Sequence, residues 1–150
     1  MLQTSAFLIA QRFVGIKEVP GTAANPQIVA MLQLEDAAIA NDEIAWCSAF
    51  ANYVAWLLRL PRSKSLAARS WLQVGVPITL AEAQAENDVV ILMRGGGPQP
   101  GPDVLQAPGH VGFYAGTQGA SVLVLAGNQG DAVNISSFPQ SLILGIRRLS

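Results

Sequence analysis

Asn41-Asp42-Glu43-Ile44-Ala45-Trp46-Cys47-Ser48-Ala49-Phe50-Ala51-Asn52-Tyr53-Val54-Ala55-Trp56-Leu57-Leu58 is the stretch whose reading decides the fold. From Ala45 onward it is almost entirely apolar, broken only by Ser48 and Asn52. Those two stand four apart and so share one side of a helix. A helix that is apolar nearly all round is a buried, central one. Asn41 or Asp42 can cap its start, and Glu43 puts negative charge near its positive end. Cys47, the only cysteine, falls in or just before the first full turn. Unpaired backbone N–H groups and the helix dipole favour thiolate over thiol there. The plainer alternative is a small buried hydrophobe.

Upstream, apolar residues at helical spacing (Ala6, Ile9, Ala10, Phe13) predict a helix over 5–14, ended by Gly15. Pro20-Gly21 marks a turn, and Asn25-Pro26 opens a second helix running to about Leu34. Downstream, Ser65 to Gly75 reads as a short helix between a serine cap and a glycine stop. After Pro77 the period changes. Val89 to Met93 is a short apolar run and hence a buried strand, and 110–115 with 121–126 form a hairpin. Further strands are expected at 133–136 and 143–147. Between the strands, Arg94 to Gly109 holds five glycines and four prolines and can only be a long loop. Helices first and antiparallel strands second predict an α+β fold, with N-terminal helices packed on one side of a small antiparallel sheet.

Composition narrows the function. A chain of 150 residues with 51% hydrophobic and 13% charged residues is read as one domain, 1–150, able to bury a core unaided. A net charge of −1 and the lack of any basic run argue against nucleic acid and against a membrane surface. One cysteine and one histidine allow neither an internal disulfide nor a structural zinc site. The N-terminus lacks a basic region and reads as a helix rather than a signal peptide, and no stretch is long enough to span a bilayer. Synthesis in the cytosol is expected, as a monomer by default.

The hairpin brings the one histidine into the argument. With its turn centred near Gln118, paired numbers sum to about 236, so His110 faces Ala126 and Asn128 lies diagonally within reach. A one-residue slip would send Asn128 to the other face. Tyr114 and Gly112 share His110's face, and Gly112 leaves room for a ligand or a helix end. A cysteine nucleophile needs a base within reach and a third group to hold the imidazole. Cys47, His110 and Asn128 supply that set. Taken singly, His110 could be a strand-end residue and Asn128 a turn residue.

Five segments recur in a familiar order: Gly15-Ile16-Lys17-Glu18-Val19-Pro20-Gly21, Ala45-Trp46-Cys47-Ser48-Ala49-Phe50, Ala68-Arg69-Ser70-Trp71-Leu72, Gly109-His110-Val111-Gly112-Phe113-Tyr114 and Gly127-Asn128-Gln129. Together they resemble the NlpC/P60 and CHAP superfamily of papain-like cysteine hydrolases. The nearest likeness is a phage- and prophage-associated branch with a Trp-Cys-Ser/Ala-x-Phe core and a Gly-Asn-Gln motif. The resemblance covers nearly the whole chain. It implies a papain-like fold, cleavage of amide bonds in bacterial peptidoglycan, Cys47 as nucleophile, His110 as base and Asn128 as the residue that orients it. Asn41, six residues before the cysteine, would be a second oxyanion donor beside the Cys47 N–H. Trp46 and Trp71 either line the cleft and stack on sugar or peptide or, as a bulky aromatic on a buried helix more often is, belong to the core. Tyr114 is a further candidate substrate contact, and Arg69 either binds a stem-peptide carboxylate or is a solvated helix residue. CHAP enzymes often carry a glutamate where this chain has Ala126, and the Asp-rich calcium loop of some has no counterpart. No metal and no cofactor are therefore expected.

The expected activity is that of a cell-wall amidase or endopeptidase, a phage or prophage lysin reaching the wall by holin, tail or secretion machine. Two other readings share the sequence: a silent wall-binding or tail module, and a Cys-His deamidase or transpeptidase acting on protein. The presence of both Cys47 and His110 counts against the silent module.

Overall fold

The computed structural model describes residues 3–21, 23–40, 42 and 45–150. Helix α1 (Ala6–Gln11) starts where the Ser5 hydroxyl accepts the Leu8 N–H, at 3.3 Å. Helix α2 (Pro26–Gln33) opens as expected, with the Asn25 side chain accepting the Gln27 N–H at 2.9 Å. Helix α3 (Cys47–Leu57) carries the decisive stretch and begins at Cys47 itself. Its N-cap position is Trp46, with no side-chain cap. Asp42 is no cap: it lies too far upstream and accepts the N–H groups of Val19 (3.0 Å) and Asn25 (2.8 Å). Burial alone would raise that carboxyl's pKa, yet these donors hold it below the ordinary value. Asn41 and Glu43 lie outside the described residues. The expected fourth helix is a 3-10 helix, Ala68–Gln73.

Among the described residues six strands make one sheet: β1 (Val76–Ile78), β2 (Asp88–Met93), β3 (Gly109–Gln118), β4 (Ser121–Ala126), β5 (Asn134–Pro139) and β6 (Ile143–Arg148). They run in the order β1-β6-β2-β3-β4-β5 with antiparallel pairing throughout. The expected α+β architecture is what forms. β1 was not foreseen, because three residues are too few to show a period.

Alternation sends the two sides of the sheet into two apolar clusters. Val89, Ile91, Val111, Phe113 and Leu125 face the helices, where they pack with Ile28, Leu32, Phe50 and Val54. Val90, Leu92, Val124, Ala126 and Ile146 face the other way and are covered by Phe138, Leu142 and Ile143. β2 is buried on both faces, which is why its sequence is a continuous apolar run.

The hairpin register differs from the expectation. The turn is the two-residue Gly119-Ala120, with Gly119 at φ +57°, so Gln118 pairs with Ser121. A bulge between Tyr114 and Gly116 then shifts the ladder by one, and Tyr114 pairs with Val124. Turn and bulge together move the pairing by an even number of residues from the expected sum. His110 therefore keeps the face it was assigned.

Candidate active site

Cys47 sits at the first residue of α3 and is 3% exposed. Its sulfur meets the backbone N–H of Val111, one residue beyond His110 on β3. Burial pushes the thiol's pKa above its ordinary value; the Val111 N–H, the Arg94 charge and the N–H groups of Ser48 and Cys47 only partly oppose it. The helix start thus acts in the direction the sequence suggests, but desolvation wins. The resting group is a thiol.

His110, 5% exposed, belongs to the opposite alternation of β3 and stacks on Phe138 of β5, ring centroids 5.4 Å apart. Burial lowers its pKa and so does the Arg94 charge, against a raising hydrogen bond from Gln129. The resting ring is neutral. Thiol and imidazole reach the same end of β3 from different sides, both within the field of one guanidinium.

The amide that holds the ring is Gln129, not Asn128. Nε2 of His110 lies 3.0 Å from Gln129 Oε1. The Gln129 amide can sit only one way round. Its Nε2 donates to Asn134 O at 2.8 Å, Asn134 Oδ1 at 2.9 Å and Val124 O at 3.3 Å. Asn134 answers by donating to Gln129 O at 2.8 Å, and Ser136 Oγ donates to Asn134 Oδ1 at 2.7 Å. With the NH2 group spent on acceptors, Oε1 must accept from the ring, so His110 carries its proton on Nε2. Nδ1 is left as the basic nitrogen.

Asn128 was displaced by its backbone. At φ +59° it takes the left-handed turn position, which asparagine tolerates better than glutamine. Its half-buried side chain lies instead in the wall of a cleft of about 580 Å³ beside His110. Arg94, Ser136 and Phe138 are also part of that wall, and among the described residues no carboxylate lines it. Two adjacent amides in Gly127-Asn128-Gln129-Gly130 were the available sign, and turn preference separates them.

Three expected substrate contacts are placed elsewhere. Trp46 is fully buried, with Nε1 donating to Glu18 Oε1 at 2.8 Å and its ring under Gly127. Trp71 is fully buried, with Nε1 donating to Ser48 Oγ at 2.9 Å. Both are core, as large aromatics on buried elements usually are. Tyr114 is half-buried against the far cluster and is not among the residues lining the His110 cleft. Asn41 lies outside the described residues. The gap at Gly112 takes no ligand: a Cβ there would fall 2.5 Å from both Ala126 Cβ and Val124 Cγ1. Arg69 is neither solvated nor in the cleft wall. It is fully buried, and it donates to the carbonyls of Pro108 (2.9 Å), Pro100 (3.0 Å), Gly101 (2.8 Å) and Val104 (3.1 Å), fastening the long loop.

Among the described residues no three His, Cys, Asp or Glu side chains gather as metal ligands, and no helix is long and apolar enough to cross a membrane.

No family model and no curated protein matches the chain. A solved structure of NlpC1 from Trichomonas vaginalis does, at 16% identity with a TM-score of 0.57. The match covers 95% of this chain but only 42% of that one, so the chain spans less than half of its neighbour's length. At this identity the likeness shows a shared NlpC-type fold.

Proposed function

We propose that the chain is a cysteine hydrolase of the NlpC/P60 kind that cleaves an amide bond of bacterial peptidoglycan. The observation carrying this reading is the one-way hydrogen-bond chain from Asn134 through Gln129 to His110, which leaves Nδ1 basic at the strand end where the Cys47 sulfur meets the Val111 N–H. The NlpC-type fold supports it. In this reading Nδ1 takes the Cys47 proton as sulfur attacks the substrate carbonyl, because the resting pair is thiol and neutral imidazole rather than an ion pair. The Cys47 N–H receives the oxyanion, with Asn41 proposed as second donor. The imidazolium then protonates the leaving amine, and the ring activates water to release the acyl group from sulfur.

The cleft beside His110 offers a cation, amides and hydroxyls with no acid among the described residues, which suits a peptide bearing carboxylates. Action as a monomeric phage or prophage lysin, delivered by holin, tail or secretion machine, belongs to the same proposal.

The test is mass spectrometry of purified peptidoglycan digested by the wild type and by Cys47→Ala. Fragments released by the wild type alone are expected, and their new termini separate amidase from endopeptidase. Wall binding without release by either protein sinks the hydrolase reading and leaves a binding module.

A further inference from the structure

We propose a second binding site, for an anionic glycan, at the C-terminal end of α3. A cleft of about 810 Å³ opens there between Trp56, Arg59, Pro61 and Lys64, at the opposite end of the helix from Cys47. Nothing in the proposed chemistry uses it.

Trp56 is 49% exposed, whereas Trp46 and Trp71 are fully buried. A large apolar ring left half in water on a central helix needs a reason. The ring is braced rather than loose: Tyr53 lies against it with centroids 5.8 Å apart, and Tyr53 is itself edge-on to Phe13 at 5.8 Å. A flat aromatic face held at the mouth of a cleft suits the apolar face of a pyranose ring.

The charges beside it are placed at a conformational cost. The N–H of Leu60 bonds Ala55 O at 2.9 Å and that of Arg59 bonds Trp56 O at 3.1 Å, a Schellman ending to α3. The left-handed position of that motif normally takes glycine, yet Arg59 occupies it at φ +56°. Lys64 repeats the exception, also at φ +56°. Both are exposed and make no ion pair among the described residues, whereas Arg62 between them pairs with Glu35. Arg59 and Lys64, with no acid among the described residues of the cleft wall and with Arg62 already paired, select for negative charge.

The cleft is also preformed, and the two polar residues of the decisive stretch are the reason. Ser48 and Asn52, both fully buried, hold the 63–65 segment against α3. Ser48 Oγ donates to Ser65 O at 2.6 Å, Asn52 Nδ2 to Ser63 Oγ at 3.2 Å and Ser65 O at 3.1 Å. The Lys64 N–H donates back to Asn52 Oδ1 at 2.9 Å, which fixes the strained residue in place. A rigid site loses less entropy on binding.

The test uses the Cys47→Ala chain, so that no cleavage intervenes, with three probes: oligogalacturonate, chitohexaose and single-stranded DNA. Trp56 is the accessible tryptophan, so acrylamide quenching of emission reports on the cleft. Oligogalacturonate is expected to protect the emission, with affinity falling as salt rises. Trp56→Ala, and separately Arg59→Gln and Lys64→Gln at exposed positions, are expected to weaken binding by about tenfold, read by calorimetry. Equal affinity in all three variants overturns the site. Equal binding of chitohexaose removes the role of charge, and tighter binding of DNA replaces the glycan with nucleic acid; either overturns the proposal as stated. The outcome is independent of whether Cys47 cleaves peptidoglycan.

Discussion

Gln129 and Asn128 differ by one methylene and one position, and the two make opposite predictions. Gln129→Leu removes the acceptor on His110 Nε2 and is expected to lower kcat about 10²-fold with little change in KM, the size of a general-base contribution. Asn128→Ala is expected to leave kcat within a few-fold and to act on KM. Steady-state kinetics on a soluble muropeptide separates them. Asn134→Leu removes one acceptor of the Gln129 amide but leaves the Asn134 and Val124 main-chain carbonyls, so the ring's Nε2–H tautomer is expected to persist in nitrogen-15 spectra. Protonation follows from burial. His110 titrates below its ordinary value of about 6.5, so the acid limb of kcat/KM is expected below that pH. Cys47 titrates above about 8.5, so iodoacetamide labelling of the free protein is expected to rise only beyond it. The unfolded chain binds its histidine proton first as pH falls through 6.5, and loses its thiol proton first as pH rises through 8.5. Thermal stability is therefore expected to fall on both sides, and Cys47→Ala to flatten the alkaline side only.

Among the elements, the long loop and the central strand carry the sharpest expectations. Arg69 is a buried guanidinium whose partners are four loop carbonyls. Arg69→Met strands those acceptors, and a loss of about 2–3 kcal/mol is expected, with protease nicking concentrated between 94 and 108. Arg69→Lys is not expected to rescue the loop, because one ammonium cannot span the fork. Gly112→Ala overpacks β3 against β4, and a fall of about 1–3 kcal/mol in stability is expected in denaturant melts. Strand and helix termini marked by chemistry were readable: the Asn25-Pro26 start of α2 is a property of those two side chains. The turn at Gly119 and the bulge at Tyr114/Gly116 were not, because both depend on how β4 meets β3.

At the scale of the molecule, one sheet separates two clusters, and the candidate site forms where β3 ends between them. α3 brings Cys47 to that end from the helical side, while β5 and the 127–130 turn bring Phe138 and Gln129 from the other. The same helix presents Trp56 at its far end, so a glycan cleft and a hydrolytic centre would share one rigid element.

Local side-chain chemistry was enough for the order of helices and strands and for the buried first two turns of α3, because periodicity and residue type survive without neighbours. Three matters needed the tertiary structure. Which amide meets the imidazole depends on a left-handed turn at Asn128. Whether Trp46 and Trp71 face substrate depends on what packs over them, and Gly127 and Ser48 close them into the core. Whether Cys47 rests as thiolate depends on a sum, and the helix start contributes less than the water that burial removes. The first is a local turn, and the other two are settled by contacts between segments distant in sequence.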